Sequence, residues 1–218
     1  MRAIISELAS AFEMARKDGW STCVASLRDV IDQQGKLGVI VMPNGPKRDA
    51  ISILKPTPSE LARPASLSRL HGTSRFPLHT DGAHWPEPPD FVLLELLAGK
   101  DSAATTLLPL AKLAHPSPVA EGLDHGVFLV GRGNSAFLAT ARTRKGLRYD
   151  SGCMTSLDGR ARTVRDYVAR IESHATEHRW AEPGQILVID NRATIHGRGD
   201  ASMSRDRVVG RLLLRMGP

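Results

Sequence analysis

The feature that most constrains the fold is a series of short apolar runs separated by glycine and proline. Each run is about as long as an ordinary β-strand. The runs lie at residues 37–42, 51–54, 91–97, 105–110, 126–130, 136–140, 186–190 and 208–216. Many short strands with turn residues between them are typical of antiparallel sandwiches and barrels rather than of repeated βαβ units. The sequence therefore predicts a mainly β protein.

Helical periodicity appears in three places. Residues 3–17 carry apolar side chains at helical spacing, and a second stretch at 25–34 ends at Gly35. Late in the chain, residues 161–179 combine an apolar stripe with arginine and glutamate on the opposite face. We therefore expect helices that flank a β core.

The domain organisation follows from length and composition. The chain has 218 residues, of which 41% are hydrophobic and 24% are charged, so one core accounts for it and whole-chain disorder is excluded. We predict a single domain over 1–218, with a helical N-terminal flank at 1–36 and a core at 37–218 that includes the one long helix.

Cellular location and partners are constrained by a few further features. No apolar run approaches the ~20 residues that span a bilayer, and acidic residues interrupt the start, so we expect a cytoplasmic protein without membrane association. The only cysteines, Cys23 and Cys153, are too few for a disulfide framework or a cysteine zinc site. The net charge of +6 favours an anionic partner, while an aromatic content of 5% argues against stacked nucleic-acid bases.

The most informative segment is residues 76–85, which contains His79-Thr-Asp81. In an extended chain, residues two apart point to the same side, so an imidazole and a carboxylate can meet one metal ion. The best candidate for a third ligand is His196, which follows the buried strand at 186–190. Two histidines and one carboxylate leave coordination positions open, as non-haem Fe(II) oxygenases require.

Arginines recur at a regular interval after His196. Arg207 and Arg211 follow it by 11 and 15 residues, and Arg215 comes four further on. On a strand these three side chains share one face, with apolar residues on the other. A buried arginine needs a partner, and a bidentate carboxylate is the natural one.

Together these residues resemble the TauD/TfdA family of Fe(II)- and 2-oxoglutarate-dependent dioxygenases. The resemblance assigns His79, Asp81 and His196 to iron and Arg207 to the distal carboxylate of 2-oxoglutarate. It assigns Arg211 either to an acidic group of the substrate or to the cosubstrate. It implies a double-stranded β-helix, which is a cupin-like jelly roll, and hydroxylation by O2 coupled to decarboxylation of 2-oxoglutarate to succinate.

A threonine within a Gly-Gly-Asp-Thr turn usually completes the cosubstrate site of this family. Thr106 has the matching spacing from His79, but the local sequence is Ala103-Ala-Thr-Thr106. Either Thr105 or Thr106 could therefore serve.

The substrate is less constrained. His79 and His196 lie closer in sequence than is usual for the family, which predicts an open site for a small or carrier-tethered substrate, or a site completed by a second subunit. An anionic or amino-acid-like substrate is expected, with His84, Arg198 and Arg148 as further candidate contacts. A homo-oligomer is left open.

Other functions compete with this one. The stretch from His174 to His178 matches the His-x-x-Glu-His pattern of inverted zinc proteases, which requires a helix and a third ligand on a later helix. The segments that follow, at 186–190 and 208–216, are predicted to be strands and not helices. We therefore interpret residues 174–178 as the packed end of a helix. A jelly roll that binds or modifies nucleic acid, and one that only binds a ligand, remain as alternatives.

Overall fold

The computed structural model describes residues 2–43, 49–64, 66–99, 103–181, 183–204 and 206–217. The α-helices are α1 (Arg2–Asp18), α2 (Leu27–Leu37), α3 (Leu67–His71), α4 (Ser117–His125) and α5 (Gly159–Ile171). The first eight strands are β1 (Trp20–Val24), β2 (Val39–Met42), β3 (Ser52–Leu54), β4 (Phe76–His79), β5 (Phe91–Ala98), β6 (Thr105–Leu108), β7 (Phe128–Val130) and β8 (Phe137–Ala139). The others are β9 (Arg142–Thr143), β10 (Gly146–Leu147), β11 (Met154–Ser156), β12 (Thr176–His178), β13 (Gln185–Asp190), β14 (Ile195–Arg198) and β15 (Val208–Met216).

Two antiparallel sheets face each other. The major sheet has six strands in the order β1-β13-β5-β15-β2, with β3 also paired to β15, and the minor sheet has the order β12-β6-β14-β4. Apolar side chains from both sheets meet between them, including Leu107 of the minor sheet and Leu187 and Leu213 of the major sheet. This arrangement, with helices outside the sheets, confirms the predicted jelly roll with flanking helices.

Helices cover the outer face of each sheet. Helices α1 and α2 pack on the major sheet, where the rings of Phe12 and Phe91 meet edge to face at 5.0 Å. Helices α4 and α5 cover the minor sheet, on the side to which Leu78, Leu108 and Ile195 point. Because most of β5 is buried on both faces, apolar residues occupy consecutive rather than alternate positions, and Glu95 is the one charged residue in the strand.

Local sequence signals set the limits of helix α2. Ser26 caps its N-terminus in a capping box with Asp29, and Gly38 ends it with a left-handed backbone at φ 64°. A glycine tolerates this conformation because it has no Cβ. The helix consequently extends three residues beyond the predicted end at residue 34 and stops at Leu37.

Several elements differ from the sequence-based prediction. Strand β1 lies within the flank that was predicted to be helical and pairs with β13 at the edge of the major sheet. Helix α4 was not predicted. His196, which was predicted only to follow the strand at 186–190, lies on a separate strand, β14, between β6 and β4 of the minor sheet.

The long late helix is shorter than predicted. Helix α5 ends at Ile171, a 3-10 turn follows over Glu172–His174, and the chain then enters β12. Tertiary packing overrides the helical period here, because the buried His178 ring stacks edge to face on Trp180 at 4.6 Å. His174 and His178 therefore do not share a helix, which removes the structural basis of the zinc-protease interpretation.

Within the described ranges, none of the helices is both long and apolar enough to cross a membrane.

Candidate functional site

Three buried side chains meet at the end of strand β4, beside strand β14 of the minor sheet. His79 ends β4 and is paired in register with His196 on β14, so their rings lie side by side with centroids 4.8 Å apart. Asp81 follows two residues later, in the turn after β4 rather than on the strand itself. One ligand atom from each of the three lies within 4.8 Å of the others. The structure thus brings together the three predicted iron ligands.

The ring nitrogens of the two histidines are arranged in a way that suits metal binding. Nδ1 of His79 lies 3.0 Å from the carbonyl oxygen of Pro77, which assigns the ring proton to Nδ1 and leaves Nε2 as a ligand atom, 3.9 Å from Oδ1 of Asp81. Burial, assisted by the neighbouring His79, lowers the pKa of His196 to about 3, so its ring is neutral. Its Nδ1 is buried and has no hydrogen-bond partner in the described structure.

Asp81 is ionised despite its burial. Burial alone would raise its pKa, but Arg211 and the two histidines outweigh that effect and the pKa is lowered. Nη1 of Arg211 donates to both carboxylate oxygens, at 3.0 and 3.2 Å. Two imidazoles and one carboxylate are a donor set that fits a divalent cation such as Fe(II).

The backbone of Asp81 is held by a side chain that sequence reasoning did not assign to the site. Oδ1 of Asn191 accepts a hydrogen bond from the Asp81 amide at 2.8 Å, and its Nδ2 donates to the Asp81 carbonyl at 3.1 Å. Nδ2 also donates to the carbonyl of Pro89 at 2.9 Å. The sequence feature at this position is the Asp190-Asn191 pair before His196. That pair carries no information on the contact with Asp81.

Arg207 is a buried cation immediately before strand β15. Its side chain is 5% exposed and, within the described parts of the chain, has no hydrogen bond or ion pair. Burial, with the nearby Arg198 adding to it, lowers the pKa of Arg207 to about 10, which leaves the guanidinium protonated at neutral pH. A buried guanidinium of this kind suits an anionic ligand such as a carboxylate.

The pairing of β6 with β14 separates the two candidate threonines. Thr105 pairs with Arg198, two residues from the Leu107–His196 pair, so Thr105 lies on the face that carries His196. Thr106 pairs with Gly197 and lies on the opposite face, towards the helices. Oγ1 of Thr105 accepts a hydrogen bond from Nε1 of Trp180 at 3.2 Å, which leaves its hydroxyl proton to donate elsewhere.

The other predicted contacts have structural partners. Nη2 of Arg198 donates to the carbonyls of Gly72 and Ser74 at 3.0 and 2.7 Å, and its guanidinium lies 3.7 Å from the ring centroid of Phe76. Arg198 is thus fixed beside Arg207 and Thr105 instead of pointing to solvent.

Arg148 and His84 flank the turn that follows Asp81. The buried Arg148 guanidinium donates to the carbonyls of residues 83, 85 and 86, at 2.5, 2.6 and 2.9 Å. It therefore holds this segment in place. His84 is exposed and packs edge to face on Trp85, with ring centroids 5.9 Å apart.

Several solved structures with a similar fold are non-haem iron oxygenases. The chain superimposes on the iron oxygenase OrfP in complex with Fe and α-ketoglutaric acid with a TM-score of 0.75, at 16% identity, over 99% of this chain and 81% of OrfP. PvcB, an Fe, α-ketoglutarate-dependent oxygenase from an isonitrile synthetic pathway, gives 0.66 at 18% identity, over 97% of this chain and 81% of PvcB. Asparagine oxygenase gives 0.59 at 20% identity, over 87% of this chain and 78% of that protein.

One curated relative is similar in sequence. An L-lysine 3-hydroxylase from Catenulispora acidiphila is 30% identical over 155 aligned residues, which cover 61% of this chain and 42% of the relative. The chain therefore aligns with less than half the length of that relative. No protein-family model matches the chain.

Proposed function

We propose that this chain belongs to the TauD/TfdA-like family of non-haem iron oxygenases and is an Fe(II)- and 2-oxoglutarate-dependent dioxygenase that hydroxylates an aliphatic C–H of an amino-acid substrate. The observation that carries the proposal is the buried His79–Asp81–His196 group, whose ligand atoms lie within 4.8 Å of one another. With iron and cosubstrate bound, the centre would couple decarboxylation of 2-oxoglutarate to succinate to the transfer of one oxygen atom from O2 to the substrate.

The described side chains divide into three tasks in this proposal. His79, Asp81 and His196 hold the metal. Arg207, whose side chain has no partner among the described residues, binds the distal carboxylate of 2-oxoglutarate. Arg211 contacts the metal-binding carboxylate directly, and we assign it to the carboxylate of the amino acid.

The relatives suggest which substrates to test. Lysine, arginine and asparagine are the amino acids that the names of the relatives mention.

The first assay is anaerobic addition of Fe(II) and 2-oxoglutarate, followed by measurement of the visible absorption of the metal chelate. The second supplies O2 and each amino acid, free or as the thioester of a carrier protein, and measures succinate and product mass. We expect a charge-transfer band, and equimolar succinate and a product heavier by one oxygen atom with at least one substrate.

The competing functions give different results in the same experiment. A folded protein without the absorption band and without succinate formation would instead support a jelly roll that only binds a ligand. A nucleic-acid-binding protein would retain oligonucleotides with an affinity that falls steeply as salt rises.

A matched pair of variants tests the cosubstrate site. We expect Thr105→Val to raise the KM for 2-oxoglutarate by about 10-fold, because one hydrogen bond to a charged group contributes on the order of 1.5 kcal/mol. Thr106→Val removes the same hydroxyl from the opposite face of the same strand and should leave KM within about 2-fold of wild type. The measurement is initial-rate kinetics over a range of 2-oxoglutarate concentrations. A larger KM effect from Thr106→Val would show that Thr106, and not Thr105, contacts 2-oxoglutarate.

A further inference from the structure

We propose that Asn191 is a positioning residue for the metal centre, which fixes the Asp81 carboxylate relative to His196. The inference rests on the proposed function, because it assumes that Asp81 and His196 bind the same metal ion. Asn191 would not touch the metal. It would act by holding the peptide groups on both sides of the Asp81 Cα.

The oxygen and both amide protons of the Asn191 side chain have hydrogen-bond partners. Its amide pairs with Asp81 as one strand residue pairs with another, accepting from the Asp81 N–H and donating to the Asp81 C=O. The second proton of Nδ2 goes to the carbonyl of Pro89. The side chain is 0% exposed, so water cannot replace any of these bonds. Aspartate has the same shape but lacks the donor, and therefore cannot make the same pattern.

Asp81 needs this support because it lies outside the sheet. His79 and His196 are fixed by their pairing in adjacent strands, whereas Asp81 follows the end of β4 in a turn. Its backbone N–H and C=O have Asn191 as the partner that the described structure provides. Arg211 binds the carboxylate oxygens, and Asn191 fixes the backbone from which that carboxylate projects towards the two imidazoles.

The position of Asn191 in the chain couples the ligands. It lies in the turn between β13 and β14, and His196 lies on β14 five residues later. The same short segment thus supplies one ligand directly and holds another that is 110 residues away in sequence. Asp81 and His196 are therefore fixed to each other through the segment from Asn191 to His196, independently of the strand that carries His79.

A neighbouring residue provides the matched control. Thr194 lies on the same turn, is also 0% exposed, and donates from Oγ1 to the carbonyl of Gly19 at 2.8 Å. Among the described contacts, none joins its side chain to Asp81, His79 or His196. Thr194→Val removes a buried hydrogen bond of the same turn at nearly constant volume, and so reproduces the general loss of stability.

The experiment measures the dissociation constant of Mn(II) for the full chain by electron paramagnetic resonance of the unbound ion. Melting temperatures are recorded by circular dichroism with and without the metal. Outer partners of metal ligands typically change metal affinity by about 10- to 100-fold. We therefore expect Asn191→Ala to weaken Mn(II) binding by at least about 10-fold, and Thr194→Val to change it by less than about 2-fold. Asn191→Ser, with a small polar side chain, replaces the alanine variant if that does not fold.

The outcomes separate this inference from the proposed function. If both variants lower the melting temperature and neither changes Mn(II) affinity, Asn191 has a structural role alone and the inference is wrong. If wild type and the threonine variant bind Mn(II) tightly and Asn191→Ala does not, it is supported. If wild type itself binds no Mn(II) or Fe(II), the proposed metal centre is wrong and the inference falls with it.

Discussion

His196→Ala will remove iron binding and 2-oxoglutarate turnover together while the protein stays folded. His196 supplies a neutral imidazole to the three-residue group, and loss of one of three ligands should exceed the effect of an outer partner. We therefore expect more than about a 100-fold loss of Fe(II) affinity and no detectable succinate. The measurements are anaerobic iron titration, the charge-transfer absorption of the chelate, and succinate formation.

The matched control for His196→Ala is His174→Ala. His174 is an exposed histidine in the 3-10 turn after α5 and belongs to the His-x-x-Glu-His pattern that the fold does not place on a helix. Its replacement should leave iron affinity and turnover within about 2-fold of wild type. Loss of metal binding in His174→Ala and retention in His196→Ala would move the metal site to the other motif.

The candidate metal ligands could be predicted from sequence because the chemistry of the donor set is independent of the details of the fold. A His-x-Asp pair, a distal histidine and two arginines at fixed spacing suffice to propose an iron centre, whichever strands carry them. The eight apolar runs also mapped onto strands, because short runs between glycine and proline leave few other structures. The spacing of these residues indicates which of them belong to the site, but it does not indicate the direction in which each side chain points.

Direction requires the register of strand pairing. Thr105 and Thr106 are adjacent, and a slip of one residue exchanges the faces to which they point, so the choice depends on the pairing with β14. The contact between Asn191 and Asp81 depends on two turns that meet only after the sheets form. The hydrogen bonds of Arg148 to three backbone carbonyls depend on the folded turn after Asp81, so they cannot be predicted from sequence either. The helix at 161–179 was overextended for the same reason, since His178 is buried by tertiary packing on Trp180.

Arg207→Met will weaken 2-oxoglutarate binding and, in the same protein, stabilise the ligand-free fold. The buried guanidinium has no partner among the described residues, so its charge costs free energy until a carboxylate binds. Replacing buried charges by apolar side chains of similar volume can stabilise a protein by about 1–4 kcal/mol. We expect a higher melting temperature without ligand, and a dissociation constant for 2-oxoglutarate raised by about 100-fold.

Arg198→Met separates this effect from the general loss of a buried arginine. Arg198 is equally buried, but it donates to the carbonyls of Gly72 and Ser74 and lies over the ring of Phe76. Its removal leaves those carbonyls without their donor and should lower the melting temperature of the ligand-free protein. The two arginine variants should therefore shift stability in opposite directions. The measurements are melting curves with and without 2-oxoglutarate and titration of the chelate absorption. A destabilised Arg207→Met with unchanged 2-oxoglutarate affinity would show that Arg207 supports the fold and does not bind the cosubstrate.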